Sequence, residues 1–108
     1  MEGEKLIRDN IPAIASAKQQ SLVVRTASRE EMPALLLEKL TEEYHEVLAT
    51  SPSGLLDELA DLIEVAHALA QAHGHSPAEL EMARTLKRHQ RGAFNRRLVL
   101  NLAASDKG

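Results

Sequence analysis

Two stretches of the chain place carboxylates where helices of their composition would bury a face. "LTEEYHEVLAT" carries Glu42, Glu43 and Glu46, and "GLLDELADLIEVAHAL" carries Glu58 and Asp61, all set among Leu, Val, Ile and Ala. At about 100° per residue, Met32, Leu36, Leu40 and Val47 form one stripe of a helix, and Glu43 falls inside it. Glu46 stands one turn further along, on the flank of the stripe, while Glu42 lies further round. In the second stretch Leu55, Leu59, Leu62, Ile63, Ala66, Leu69 and Ala70 make a wide apolar arc. Glu58 projects between Val65 and Leu69, with Asp61 at the edge of the arc.

Burying one unpaired carboxylate is costly, and clustering four is costlier, so the pattern makes physical sense with a compensating cation. All-oxygen ligands suit a hard divalent ion such as Mg²⁺ or Mn²⁺. An i, i+3 pair sets two carboxylates about 5–6 Å apart at Cβ, close enough to converge on one ion or to bridge two. Facing pairs on an antiparallel helix hairpin would build the site. Glu-x-x-Glu alone is common on solvated faces. The conjunction of two acidic pairs on the apolar faces of consecutive helices singles this chain out.

Cations that could receive phosphate are grouped elsewhere. Arg84, Lys87, Arg88 and Arg91 share one helical stripe, which Arg96 and Arg97 extend, with no acid from Arg84 to Arg97. Such a stripe serves phosphate oxygens, a solvated surface or ion pairing with the acidic front of the chain equally well. Lys5, Arg8 and Asp9 form a smaller patch: the two cations could reach phosphate, and Asp9 could cap the first helix. Glu42-x-x-His45 and Glu64-x-x-His67 have the spacing of di-iron carboxylate bundles. Against that reading, such bundles draw further Glu ligands from two more helices, and Glu64 points almost opposite Glu58.

The elements that must position these groups are marked by caps and breakers. "RDNIPAIASAKQQ" reads as a short first helix with Asn10 at its N-cap and Pro12 in its first turn. "SLVVRTA" is β-branched, an extended piece or a buried connection. Ser28 and Glu31 have capping-box spacing and open a long helix to about Ala49, unless Pro33 moves its start to Glu31. "TSPSG" is a turn from which Ser53 caps a helix reaching His73 and ended by Gly74. Ser76, Pro77 and Glu79 open a fourth helix that stops at Gly92. "FNRRLVLNLAA" reads as a strand or a short arm, Phe94 as a core residue, and 104–108 as a frayed tail.

Composition agrees with an all-α fold. The chain has 108 residues, 44% hydrophobic and dominated by Leu and Ala, with Tyr44 and Phe94 its two aromatic residues, which favours helix-on-helix packing in one small domain over 1–108. Net charge is −3, so the surface as a whole is no nucleic-acid footprint. Cysteine is absent, which removes disulfides and thiolate metal sites and fits a reducing cytoplasm. Neither a membrane span nor a signal-peptide core is present in the sequence.

"EEYHE", an eleven-residue gap and "ELAD" together resemble the Glu-Glu-x-x-Glu … Glu-x-x-Asp signature of the MazG-like superfamily of nucleoside triphosphate pyrophosphohydrolases. That superfamily includes dimeric dUTPases and phosphoribosyl-ATP pyrophosphohydrolase. "KLIRDNIP" and "LKRHQRGAF" are similar to a subgroup that begins Lys-Leu-Val-Arg-Asp-Lys-Ile-Pro and carries Lys-x-x-x-Arg-Gly-x-Phe. Asn10 stands where that subgroup commonly has Lys. The resemblance runs from Lys5 to about Leu100. It implies a helical bundle around a central metal-binding hairpin, assembled as a homodimer or homotetramer.

By the same resemblance Glu43, Glu46, Glu58 and Asp61 are metal ligands, and Glu42 stands behind them or orients the attacking water. Lys87 and Arg91 engage the phosphates, with Lys5 and Arg8 as further candidates. The implied reaction is Mg²⁺- or Mn²⁺-dependent hydrolysis of a nucleotide substrate between its α and β phosphates, in the clearing of aberrant nucleotides. A reading of another class is a catalytically silent helical oligomer whose basic stripe binds nucleic acid. It leaves the convergent acids unexplained.

Overall fold

The structure is a computed structural model that describes residues 3–104. The described residues form four α-helices and no strand: α1 (Ile11–Ala17), α2 (Met32–Ala49), α3 (Leu55–Ala72) and α4 (Pro77–Arg91). The all-α expectation therefore holds, while the expected fraying of the tail falls largely on residues outside the described ones.

Local signals place most helix ends. The Ser28 hydroxyl accepts from the Glu31 amide and the Glu31 carboxylate accepts from the Ser28 amide. This capping box heads a single 3₁₀ turn, Arg29–Glu31, which runs straight into α2 with Pro33 in its first turn. Proline is harmless there because the first-turn N–H groups have no partner inside the helix. Ser76 and Glu79 repeat the box at the start of α4. At the end of α3, Gly74 takes φ +88°, its amide donating to Gln71 and that of His75 to Ala70. That is a Schellman closure, with glycine where a side chain would be strained.

Three expectations need correcting. Ser53 does not cap α3: the helix is entered from a 3₁₀ turn, Pro52–Gly54, led by Ser51, whose hydroxyl meets that of Ser53 at 3.0 Å. A Cβ on Gly54 would run into the Thr50 hydroxyl, so a larger residue there would require that side chain to turn away. Phe94 is no core residue but almost wholly exposed. Of the alternatives left open, "SLVVRTA" is not a buried connection and "FNRRLVLNLAA" is not a strand: both are non-helical segments without strand pairing, and Val23, Leu98, Val99 and Leu100 face solvent. β-branched sequence makes a strand only where another strand satisfies its backbone, and none is offered here. Asn10 does sit at the N-cap of α1, but its side chain makes no capping bond.

The α2–α3 pair is the centre of the molecule, joined by the short Thr50–Gly54 connection that returns α3 antiparallel to α2. Among the described residues the buried apolar ones are Leu36 of α2, Val65 of α3 and Ala15 of α1. α4 touches only α3 to any extent. The chain is far from compact: its radius of gyration is 18.2 Å, against about 13 Å expected for this length. Its accessible surface is 9486 Å², against about 5,900 Å² for a compact chain of this mass. Two apolar stripes of the hairpin remain uncovered, Leu37, Tyr44 and Leu48 on α2 and Leu55, Leu56, Leu59 and Ile63 on α3.

Candidate metal centre and the cleft beside it

The hairpin brings its acids together as the helical spacing requires. Oxygens of Glu43, Glu58 and Asp61 all lie within 4.8 Å of one another, with Glu43 buried and the other two half-buried. Glu43 comes from the packing face of α2, two turns along the same stripe from Leu36. Glu58 and Asp61 come from the first two turns of α3, where the tight Thr50–Gly54 turn delivers them opposite Glu43. Glu46 is exposed and stands outside this trio, yet its charge acts on Glu58.

Proximity of like charges is visible in the proton affinities. Burial pushes the Glu43 carboxyl above its ordinary range, helped by Asp61, Glu42 and Glu58, while Lys39 opposes the shift. Glu58 is raised by desolvation first and then by Glu46, Asp61 and Asp57. Both shifts mean that the ionised forms lack sufficient positive charge nearby.

What positive charge there is comes from the chain itself. Lys39 Nζ lies 2.6 Å from Glu42 and 3.7 Å from Glu43. Arg8 reaches from the N-terminal segment to Asp61 at 2.6 Å, and Lys5 approaches Glu42 at 4.0 Å. Lys39 was not singled out in the sequence. Its i, i+3 and i, i+4 spacing to Glu42 and Glu43 was the available signal, and its short reach to a buried acid is what gives it weight.

Beside the acids opens a cleft of about 580 Å³. Leu6, Ile7, Ile11 and Ile14 wall it on the N-terminal side, Leu36 and Val65 on the hairpin side, and its polar groups are the cations Arg8 and Lys39, the acids Asp9, Glu43, Asp61 and Glu64, and Asn10. Arg25 ties the N-terminal wall down: its guanidinium holds Glu4 at 2.9 and 3.0 Å and Glu31, at the head of α2, at 2.8 and 3.2 Å. The volume, and apolar walls set beside a group of charged side chains, suit a small polar organic ligand.

The remaining candidates do not reach the acids. Lys87 and Arg91 are exposed on α4 and, among the described residues, take part in no ion pair, nor do Arg88, Arg96 and Arg97. Arg84 pairs with Glu81 on its own helix at 2.7 Å. Among the described residues no histidine joins the carboxylate trio, although Glu42 shares Lys39 with Glu43 and Glu64 lines the cleft. His67 meets Glu81 of α4 at 3.1 Å, and His45 lies against the Tyr44 ring.

Three converging carboxylate oxygens, one of them buried, form a donor set that suits a hard divalent ion in kind and in spacing. Among the described residues no helix is long and apolar enough to cross a membrane. No protein-family model, no curated protein and no solved structure matches this chain.

Proposed function

We propose that the chain is a divalent-metal-dependent nucleotide pyrophosphohydrolase, hydrolysing a nucleoside triphosphate or a related nucleotide to the monophosphate and pyrophosphate. The observation that carries the reading is the convergence of Glu43, Glu58 and Asp61 at the edge of a nucleotide-sized cleft. The motif resemblance supplies the position of cleavage. Glu43, Glu58 and Asp61 hold Mg²⁺ or Mn²⁺, with Glu46 as the fourth carboxylate within electrostatic reach. A divalent ion so held neutralises phosphate oxygens and lowers the pKa of water.

The chain's own groups do the rest. Apolar side chains of the N-terminal segment and the hairpin hold the nucleoside and exclude water from it. Arg8 and Lys39, engaged with Asp61, Glu42 and Glu43, line the cleft and would be the cations within reach of a phosphate chain there. Glu42, set behind Glu43 and fastened by Lys39, orients the attacking water. The water oxygen bonds to the α-phosphorus, the bond from that phosphorus to the bridging oxygen breaks, and pyrophosphate leaves. The protein works as a homo-oligomer in the cytoplasm, clearing non-standard nucleotides.

The test is a panel of nucleoside triphosphates assayed for monophosphate and pyrophosphate with Mg²⁺, Mn²⁺ or chelator, alongside Glu46→Gln and Glu58→Gln. Wild type should turn over at least one member and stop with chelator. Each substitution should lower kcat by on the order of 100-fold, the scale at which one preorganised electrostatic element acts. Turnover that survives both substitutions unchanged overturns the assignment.

A further inference from the structure

The cleft beside the acids carries more negative charge than a metal centre uses. Its carboxylates are Asp9, Glu43, Asp61 and Glu64, against the two cations Arg8 and Lys39. Glu43 and Asp61 belong to the trio, and Lys39 and Arg8 lie on them at 3.7 and 2.6 Å. Glu64 engages no partner among the described residues. An ionised carboxylate only accepts hydrogen bonds and repels phosphate. A spare one in this cleft therefore asks for a ligand that brings hydrogen-bond donors as well as an anionic end.

Helical register says where those donors must sit. α3 faces the cleft with Asp61, Glu64, Val65 and Ala68, at i, i+3, i+4 and i+7, and α2 faces it with Met32, Leu36, Lys39 and Glu43. Because the two helices run antiparallel, their rows order the cleft from end to end. Asp61 and Glu43 mark the metal end, and Glu64 stands one turn beyond, about 4.5 Å along α3 from Asp61. Ala68 and Met32 close the far end, where the hairpin offers no polar group and the thioether of Met32 adapts to rings of varied outline. Asp9 and Asn10 sit on the turn before α1. Glu64 shares its helix with Asp61, so the helix itself sets its distance from the metal end.

We propose that Glu64 is the residue that reads the sugar, its carboxylate accepting from the two neighbouring hydroxyls of a ribose. A pair of adjacent hydroxyls matches the two oxygens of one carboxylate. The inference rests on the nucleotide reading above. With the phosphates at the metal end, the sugar follows the α-phosphate directly and comes level with Glu64, and the base lies among Leu36, Met32 and Ala68. The cleft then selects ribonucleotides over 2′-deoxyribonucleotides and takes several bases.

Sugar discrimination tests it, with a binding arm that needs no turnover. Ribonucleoside triphosphates and their 2′-deoxy counterparts are compared with Mg²⁺ in wild type, Glu64→Gln and Glu64→Ala, and the corresponding monophosphates are titrated by calorimetry. Glu64 is exposed, and circular dichroism verifies that both variants keep their helices. Wild type should favour the ribose form by about 10–100-fold in kcat/KM and in affinity, the scale of a hydrogen bond to a charged group. Glu64→Ala should bring that ratio toward unity, and Glu64→Gln, whose amide oxygen still accepts from a hydroxyl, should keep part of it. Exchange of the base should move kcat/KM less than loss of the hydroxyl does. Equal use of both sugars by wild type overturns the proposal and leaves the pyrophosphohydrolase reading standing, as does a ribose preference that outlasts Glu64→Ala. Monophosphate binding with a ribose preference that Glu64→Ala removes, in a protein that cleaves no triphosphate, sustains the role of Glu64 and overturns the activity. A protein that neither cleaves a triphosphate nor binds a monophosphate overturns both.

Discussion

The hairpin and α4 both carry a dense run of one charge, and they treat it in opposite ways. On the hairpin the acids are drawn inward: Glu43 is buried, Lys39 and Arg8 are pulled onto the group, and proton affinities rise. On α4 the cations stand in water, with Arg84 alone paired, to its own helix. Spacing is equally regular in both. The difference lies in what each face packs against, since Glu43 shares its buried stripe with Leu36 whereas the stripe of Lys87 and Arg91 stands exposed. Like charges held against an apolar core retain a large part of their mutual energy, whereas the same number in water are screened to little.

Substitution on α4 is the sharpest way to break this contrast. Lys87→Ala with Arg91→Ala should raise KM for a triphosphate by roughly 10–100-fold, since each lost charge-assisted contact is of the order of 1 kcal/mol or more. The melting temperature of the isolated protomer should hardly move, because exposed positions cost under about 0.5 kcal/mol. Steady-state kinetics and thermal melts separate the two, and an unchanged KM would return the stripe to the solvent.

Lys39 sharpens the hairpin side. Lys39→Met should destabilise the metal-free fold by about 1–2 kcal/mol, because Glu42 and buried Glu43 lose their charged partner. Added Mg²⁺ should then raise the melting temperature more than in wild type, since lysine and ion no longer compete for the same oxygens. A smaller response to Mg²⁺ in the variant would mean that Lys39 helps to hold the ion's ligands in place.

The smallest effect is expected at Arg25. Hydrogen bonding to Arg25, followed by the Ser28 amide, holds Glu31 down at about 2 from an ordinary 4.5, and Glu4 is lowered by the same guanidinium. Depressed carboxyl values stabilise the fold fully above pH 4.5 and lose that contribution as pH falls toward 2. Arg25→Ala should flatten this acid limb in melts between those pH values, by lowering stability above pH 4.5 while leaving it nearly unchanged near pH 2. An acid limb as steep as that of wild type would remove Arg25 from the account.

Much of the fold was legible because its signals are local. The Ser28 and Ser76 boxes and the Gly74 and Gly92 stops depend on residues within a turn of one another, so neighbours alone decide them. The inward aim of Glu43 and its meeting with Glu58 and Asp61 were legible too, since helical phase and a short turn settle both. Three features were not: the reach of Lys39, the exposure of Phe94 and the failure of "SLVVRTA" to pair. Each depends on which surface lies opposite in space, and a lone chain with two uncovered stripes leaves that opposite surface largely to another molecule.

The wall of the cleft formed by Leu6 and Ile7 is secured to the rest by Arg25 and Arg8, through side chains at the surface and not through any backbone ladder. A flap latched this way can lift while every helix stays wound. Admission to the interior would then answer to ionic strength more readily than to heat, and guests of somewhat different girth could pass the same threshold.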